Sequence, residues 1–312
     1  MTSSVAPEDA GQPSAGVYER VNADTTMVGV ISHPAFEGFG RFLFPTGGGP
    51  PAADLTLRDV GYLLPYHSDI RVDTTVDVIN SLMGSVERGE TVFYDIYTDE
   101  QKAADPSKED TGLFFLAGEE DAPFAIVSAG GGFSYVGSIH ESLPHALELS
   151  RRGYNAFALQ YRTGGAQVAS EDLAAAISFV FRNADELGVS TDHYSLWGGS
   201  AGARMAAYLG SYGPSAYGGD DLPRPGTVVM QYTGHTDYTE QDPPTYAVVG
   251  EDDGIASPRT MRARIDALDA AGVDTQFHVY PDLGHGFGLG LGTSAEGWVD
   301  DAVAFWEQHQ EP

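Results

Sequence analysis

The sequence predicts an α/β fold, with a mainly parallel central sheet flanked by helices on both faces, and three observations predict it. From about residue 124 onward, short apolar runs alternate with amphipathic stretches of helical period, the rhythm of parallel strands joined by crossover helices. The first of these runs, FAIVSAG at 124–130, is continuously apolar, as a strand buried on both faces should be. Several runs end in glycine, where a strand must turn sharply into a loop or helix. In such a sheet a ligand site lies outside the carboxyl ends of the strands.

Taken in order, residues 1 to about 23 are rich in Ser, Pro, Gly, Ala and acidic groups and predict a loose tail. Residues 24–90 carry a turn cluster, TGGGPP, and then DTTVDVINSLMGSVERGE, whose apolar spacing predicts a helix from near Asp73. This segment is expected to act as a cap or pocket wall on a single domain spanning 24–312. TVFYDIYTD from Thr91 and TGLFFLAG at 111–118 predict an antiparallel strand pair, with QKAADPSKED as a solvated connection. FAIVSAG is followed by a helical pattern over 141–152 that stops at Gly153.

The pattern then repeats. YNAFALQYR (154–162) reads as a strand, and residues 170–188 read as an amphipathic helix with Ser170 as N-cap. HYSLWG (193–198) reads as a strand that enters the AGARMAAYLG helix. GTVVMQYTG (226–234) and TYAVVGEDD (245–253) supply two more strands. They are followed by the helix PRTMRARIDALDAAG, the strand TQFHVYP and a last helix around EGWVDDAVAFWEQH.

Composition narrows the function. Among the 312 residues, 45 acidic side chains against 16 basic ones give a formal net charge of -29, and only Lys102 and Lys108 are lysines. That field argues against nucleic acid or an anionic membrane as partner. With 42% hydrophobic residues the chain can still build a core, so the acidity reads as solvated surface, and as adaptation to high salt. The lack of cysteine excludes disulfides, thiolate catalysis and Cys-ligated metal centres. No run of about 18 apolar residues and no leader with a basic start and apolar stretch is present, so a cytoplasmic protein is the expectation. A homodimer is left open.

The strongest motif is Gly198-Gly199-Ser200-Ala201-Gly202, which fits G-x-S-x-G between a predicted strand and a predicted helix. A serine there sits on a tight turn with its hydroxyl above the sheet. Residues 130–132 are three successive glycines after the FAIV strand, able to turn backbone N–H groups toward an oxyanion. Neither the Lys-Ser/Thr of a P-loop nor an ordered G-x-G-x-x-G is present, which disfavours a phosphate loop. Serine needs a base and an orienting acid. His285 lies in a glycine-rich loop after one strand, and Asp252 and Asp253 lie just beyond another, with Asp253 preferred as the acid.

The remaining histidines, His33, His67, His140, His145, His193, His235, His278 and His309, lack such a setting, and no H-x-x-x-H pair suggests a metal. The expectation is therefore no cofactor and no metal. Phe133, Tyr135, His235, Tyr238 and Phe287 are candidates for the cleft wall, each with core packing as its alternative.

From about residue 91 to the end the chain resembles the α/β-hydrolase superfamily, and within it the carboxylesterases related to hormone-sensitive lipase and the small acetyl and feruloyl esterases. The order Ser200, Asp253, His285 is that of the superfamily. Where those relatives read His-Gly-Gly-Gly, this chain reads Ala129-Gly130-Gly131-Gly132, so the glycines match and the histidine does not. The resemblance implies oxyanion donors at Gly131, Gly132 and Ala201, and an acid three residues after a glycine, matched by Gly250 and Asp253. It implies a small-molecule ester as substrate. An amide-cleaving serine hydrolase and a non-enzymatic hydrolase-like binding protein remain as alternatives.

Overall fold

A computed structural model describes residues 17–45 and 49–310. Its helices and strands run α1 (Met27–Ile31), α2 (Val72–Glu87), β1 (Phe93–Tyr94), α3 (Asp99–Ala104), β2 (Gly112–Leu116), β3 (Pro123–Ser128), α4 (Ser142–Arg151) and β4 (Asn155–Gln160). They continue with α5 (Ala166–Arg182), α6 (Ala184–Leu187), β5 (Ser190–Gly199), α7 (Ala201–Tyr212), β6 (Thr227–Gln231), β7 (Thr245–Gly250), α8 (Pro258–Ala270), β8 (Thr275–Tyr280) and α9 (Trp298–Gln308).

Among the described residues the eight strands form one sheet in the order β1-β2-β4-β3-β5-β6-β7-β8. The β1–β2 and β2–β4 pairs are antiparallel, and every other pair is parallel. The α/β class and the antiparallel start therefore agree with the sequence. Strands β2, β6 and β7 are buried at every position, so both faces of the sheet are covered there, whereas β8 is half-buried throughout as the edge. The largest buried side chains include Trp197, Trp298, Trp306, Tyr161 and Tyr246, each removing apolar surface that stabilises the fold by about 25 cal/mol per Å².

Three expectations shift. Ser170 does not cap α5: the helix starts a turn earlier after Gly165, because Ala169 continues its buried face, and Ser170 lies buried inside the helix. The strand expected over TVFYDIYTD pairs only at Phe93–Tyr94. The connection after it is not wholly irregular. Thr98 and Gln101 form a reciprocal capping box, in which Thr98 Oγ1 accepts from the Gln101 N–H and Gln101 Oε1 accepts from the Thr98 N–H, and this starts α3.

Residues 1–16 of the expected loose tail lie outside the described residues, as do residues 46–48 of the turn cluster. Tyr18 and Val21 are tied to α2: the Tyr18 N–H donates to Glu87 Oε1 and the Val21 N–H to Asn80 Oδ1. Met27, Val30, Phe36, Leu57 and Val60 are buried in the same core as the sheet. Phe39 stacks on Phe93 at the β1 edge with ring centroids 5.0 Å apart. Among the described residues no helix is long and apolar enough to cross a membrane.

Candidate active site

The β5–α7 turn carries Ser200 with φ 50° and ψ −109°, a left-handed backbone that costs a non-glycine residue of order 1–3 kcal/mol. The turn is held because the Ser200 N–H donates to the Gln231 carbonyl at 2.9 Å. Its tightness explains Gly202: a Cβ there would stand 1.9 Å from the Ser128 carbonyl oxygen, so only glycine lets α7 approach the end of β3. Ser200 itself is half-buried, at the amino end of a twelve-residue helix whose dipole favours negative charge.

Two further loops at the same sheet edge meet it. His285, after β8, brings Nε2 to 3.0 Å from Ser200 Oγ, and its Nδ1 lies 2.7 Å from Asp253 Oδ2. Asp253, after β7, is fixed by its other oxygen, which accepts the N–H groups of Ile255 at 2.8 Å and Ala256 at 2.7 Å. The carboxylate is thereby held while one lone-pair face remains for the imidazole. Asp252 is exposed, whereas Asp253 is buried. With Asp253 accepting, His285 carries its proton on Nδ1 and leaves Nε2 free to accept from the Ser200 hydroxyl.

The glycine loop after β3 lies against the serine: a Cβ on Gly130 would come within 2.9 Å of Ser200 Cβ. Gly131 has φ 132°, and a Cβ there would strike the Tyr135 carbonyl oxygen at 2.1 Å, so the turn needs glycine. Ser134 and Tyr135 both donate backbone N–H groups to the Gly131 carbonyl, closing the turn. Among the described residues the N–H groups of Gly131 and Gly132 have no hydrogen-bond partner, and that of Ala201, as the first of α7, has no intrahelical acceptor.

The wall candidates separate. Phe133 and Tyr135 are half-buried on the glycine loop, and Tyr66 stacks on Tyr135 with centroids 5.7 Å apart. Tyr238 is exposed on the loop after β6. His235, on the same loop, is buried edge-on beneath Tyr208 with centroids 4.7 Å apart, and burial pushes its imidazole down to about 4. Phe287 is 1% exposed and packs against Tyr232 and Tyr280, because the glycine-rich loop folds inward after His285. His235 and Phe287 are therefore packing residues.

Sequence reasoning passed over a buried polar group beside the site. Glu141 accepts from the Gly130 N–H and from the Tyr232 hydroxyl at 2.8 Å, and its Oε1 lies 3.0 Å from His67 Nε2. Burial alone would raise this carboxyl, but His67 and the Gly130 N–H outweigh it and bring it down to about 2. His140 Nε2 donates to the Gly286 carbonyl at 2.8 Å. Burial, with His67 beside it, pushes His140 down to about 4, so it is neutral near pH 7. The histidines set aside for want of a strand-loop setting thus include two that brace the site. Their only sequence signal is the polar pair His140-Glu141 ahead of an apolar helix. Among the described residues no group of three or more His, Asp or Glu side chains is arranged to hold a metal ion.

Residues 116–218, from the end of β2 past Ser200, match the BD-FAE family. No curated protein matches the chain. A solved acetyl ester-xyloside bifunctional hydrolase from Caldicellulosiruptor lactoaceticus is 22% identical, with 69% of this chain and 95% of that one aligned at a TM-score of 0.62. An α/β hydrolase, MGS-M1, from a Medee basin deep-sea metagenome library is 22% identical over 64% of this chain and 93% of its own, at 0.57. A thermophilic esterase from the Planctomycetes species Thermogutta terrifontis is 19% identical over 65% and 91%, at 0.56. The chain has the α/β-hydrolase fold.

Proposed function

We propose that this chain, an α/β-hydrolase by fold, is a serine hydrolase that cleaves carboxylic esters of small substrates. The observation that carries the reading is the two-bond relay from Ser200 through His285 to Asp253, at 3.0 and 2.7 Å. In the first step the Ser200 hydroxyl gives its proton to His285 Nε2 as Oγ attacks the ester carbonyl carbon. The carbonyl π electrons move to oxygen, and the N–H groups of Gly131, Gly132 and Ala201 receive that oxyanion. The tetrahedral adduct collapses, its C–O bond to the alcohol breaks, and His285 protonates the leaving oxygen. Water then gives a proton to His285 as its oxygen attacks the acyl-serine carbonyl carbon, the second adduct collapses with cleavage of the acyl C–Oγ bond, and His285 returns the proton to Ser200 Oγ as the acid leaves. Asp253 keeps the imidazole in the productive tautomer and stabilises the imidazolium, without itself taking the proton. These steps use no cofactor.

Residues 24–90 act in this reading as a wall of the site, supported by Tyr66 against Tyr135 and by the Ser68 N–H donating to the Gly286 carbonyl at 3.1 Å. Ester over amide is supported by the match of residues 116–218 to BD-FAE and by the esterase and acetyl ester hydrolase among the structural relatives.

The test is a p-nitrophenyl ester panel from acetyl to decanoyl, run beside aminoacyl amides and with the Ser200→Ala variant, together with fluorophosphonate labelling. Ester turnover and labelling in the wild type, both lost in Ser200→Ala, are expected. Activity that survives the substitution overturns the nucleophile, and higher efficiency on the amides overturns the esterase reading.

A further inference from the structure

We propose that Glu141 is a positioning residue for ester hydrolysis: its buried carboxylate holds the glycine loop on one side of Ser200 and, through Tyr232, the His285 loop on the other. The inference rests on the serine hydrolase reading above.

Three chain segments distant in sequence converge on this one carboxylate. The loop after β3 donates the Gly130 N–H, the residue after β6 donates the Tyr232 hydroxyl, and the segment before α2 supplies His67. Glu141 is 1% exposed. It also lies directly behind the reactive turn, since a Cβ on Gly199 would come within 2.6 Å of Glu141 Oε2. The residue before the nucleophile and the residue that leads into the glycine loop thus both abut the same charge.

Tyr232 carries the contact to the base. Its ring centroid is 4.9 Å from that of His285, and its hydroxyl accepts the Gly288 N–H at 3.3 Å while donating to Glu141. Its φ of 34° is an unfavourable conformation for a large side chain, sustained by surroundings that over-determine it. The neighbouring His140 supports the same loop through the Gly286 carbonyl, which also accepts the Ser68 N–H.

The proton pattern closes without conflict. The Tyr66 N–H donates to the Tyr135 oxygen, and with a neutral His67 carrying its proton on Nε2 toward Glu141, the Tyr135 hydroxyl donates to Nδ1. Every buried polar atom along this line has a partner, the condition under which such a network stiffens its surroundings. Apolar groups of similar volume often serve stability as well as a buried charge does. A carboxylate bonded to three separate loops around one hydroxyl is therefore suited to fixing their relative positions.

The experiment measures kcat per active site, with active sites counted by fluorophosphonate titration, for wild type, Glu141→Gln, Glu141→Ala and Tyr232→Phe. Gln keeps the volume and one acceptor, and Phe removes one hydroxyl, so these two guard against a variant that fails to fold. Expected are losses in kcat per titrated site of about 10-fold for Gln and for Phe and about 100-fold for Ala, with KM within about 2-fold. The Gln–Phe double variant should lose little more than either single one. A merely structural role would lower Tm and the number of titrated sites while leaving kcat per site unchanged, and that result overturns the inference. A wild type that neither labels nor hydrolyses esters overturns the hydrolase reading and this inference with it. A wild type that does both, beside variants that match it per site, overturns the inference alone.

Discussion

The Asp253 carboxylate divides its two oxygens between backbone and base: Oδ1 accepts the N–H groups of Ile255 and Ala256, and Oδ2 lies 2.7 Å from His285 Nδ1. Asp253→Asn tests that division. The Asn oxygen can still serve the two N–H groups, which turns its NH₂ toward Nδ1. The imidazole must then carry its proton on Nε2, where it cannot accept from Ser200. A fall in kcat of about 10⁴-fold is expected with little change in Tm, by analogy with the same substitution in serine proteases. Asp252→Asn, at the exposed neighbour, should leave kcat unchanged, and steady-state kinetics on a short-chain ester separates the two.

The glycine loop predicts an effect on the developing oxyanion. In Gly131→Ala the new methyl would meet the Tyr135 carbonyl oxygen at 2.1 Å in a backbone of φ 132°, so the loop must move and its free N–H groups with it. Loss of one such donor costs about 10²–10³-fold in kcat. A fall in that range is expected from initial rates. Gly254→Ala, where a Cβ meets nothing within 4 Å, serves as the control and should retain wild-type rates.

Away from the relay, Arg264 and Asp242 form a buried pair at 2.6 Å with both side chains 2% exposed. Arg264→Met leaves the Asp242 carboxylate buried with Thr239 as its one remaining donor among the described residues. Stranding one charge of a buried pair costs about 3–5 kcal/mol, whereas replacing both partners by apolar groups is often neutral. Arg264→Met should therefore lower Tm by roughly 6–15 °C, and Arg264→Met with Asp242→Leu should recover most of the loss, as read by calorimetry.

Acid should weaken the fold in two stages. His140 and His235 are held down at about 4 by burial, so the unfolded chain takes their protons first, near the ordinary histidine value of 6.5. Stability from these groups is complete above about pH 6.5 and declines as pH falls toward 4. Glu141 is held at about 2, below the ordinary 4.5, so its contribution is present above about pH 4.5 and lost as pH falls toward 2. In denaturant titrations across pH, His140→Gln, which keeps a donor for the Gly286 carbonyl, should reduce the slope between pH 6.5 and 4. It should move the lower window much less, because His67 and the Gly130 N–H act on Glu141 more strongly than His140 does.

The meeting of Ser200, Asp253 and His285 was legible in the sequence because a parallel sheet sends every strand's carboxyl end to one edge, and the chemistry proposed for a serine nucleophile then restricts which loop residues to look for. The glycines at 130–132 were legible because close backbone approach excludes other residues. Glu141, His67 and Tyr232 were not. Their partners lie 11 to 91 residues away in the chain, and neither helical nor strand periodicity records a contact between loops. Phe287 reads equally as cleft wall or as core packing until the inward course of residues 286–290 is known. Ser170 reads as a cap because its hydroxyl suits one, but the buried face of α5 runs past it.

Salt should stabilise this chain, although its effects oppose one another. Exposed pairs such as Arg58 with Asp24 and Arg71 with Asp73 weaken as salt screens them, but exposed pairs contribute only about 0.2–1 kcal/mol each. Against them stand 45 acidic groups and 16 basic ones, so even complete pairing would leave 29 negative charges in mutual repulsion. The Debye length falls from about 10 Å at 0.1 M to about 3 Å at 1 M, which removes repulsion between exposed carboxylates on neighbouring elements. With the surplus nearly twice the number of basic groups, relief of repulsion outweighs the lost pairs. Tm should therefore rise from low to molar KCl and level off as screening saturates. A curve that is flat or falls over this range would mean that the acidic surface is not an adaptation to high salt.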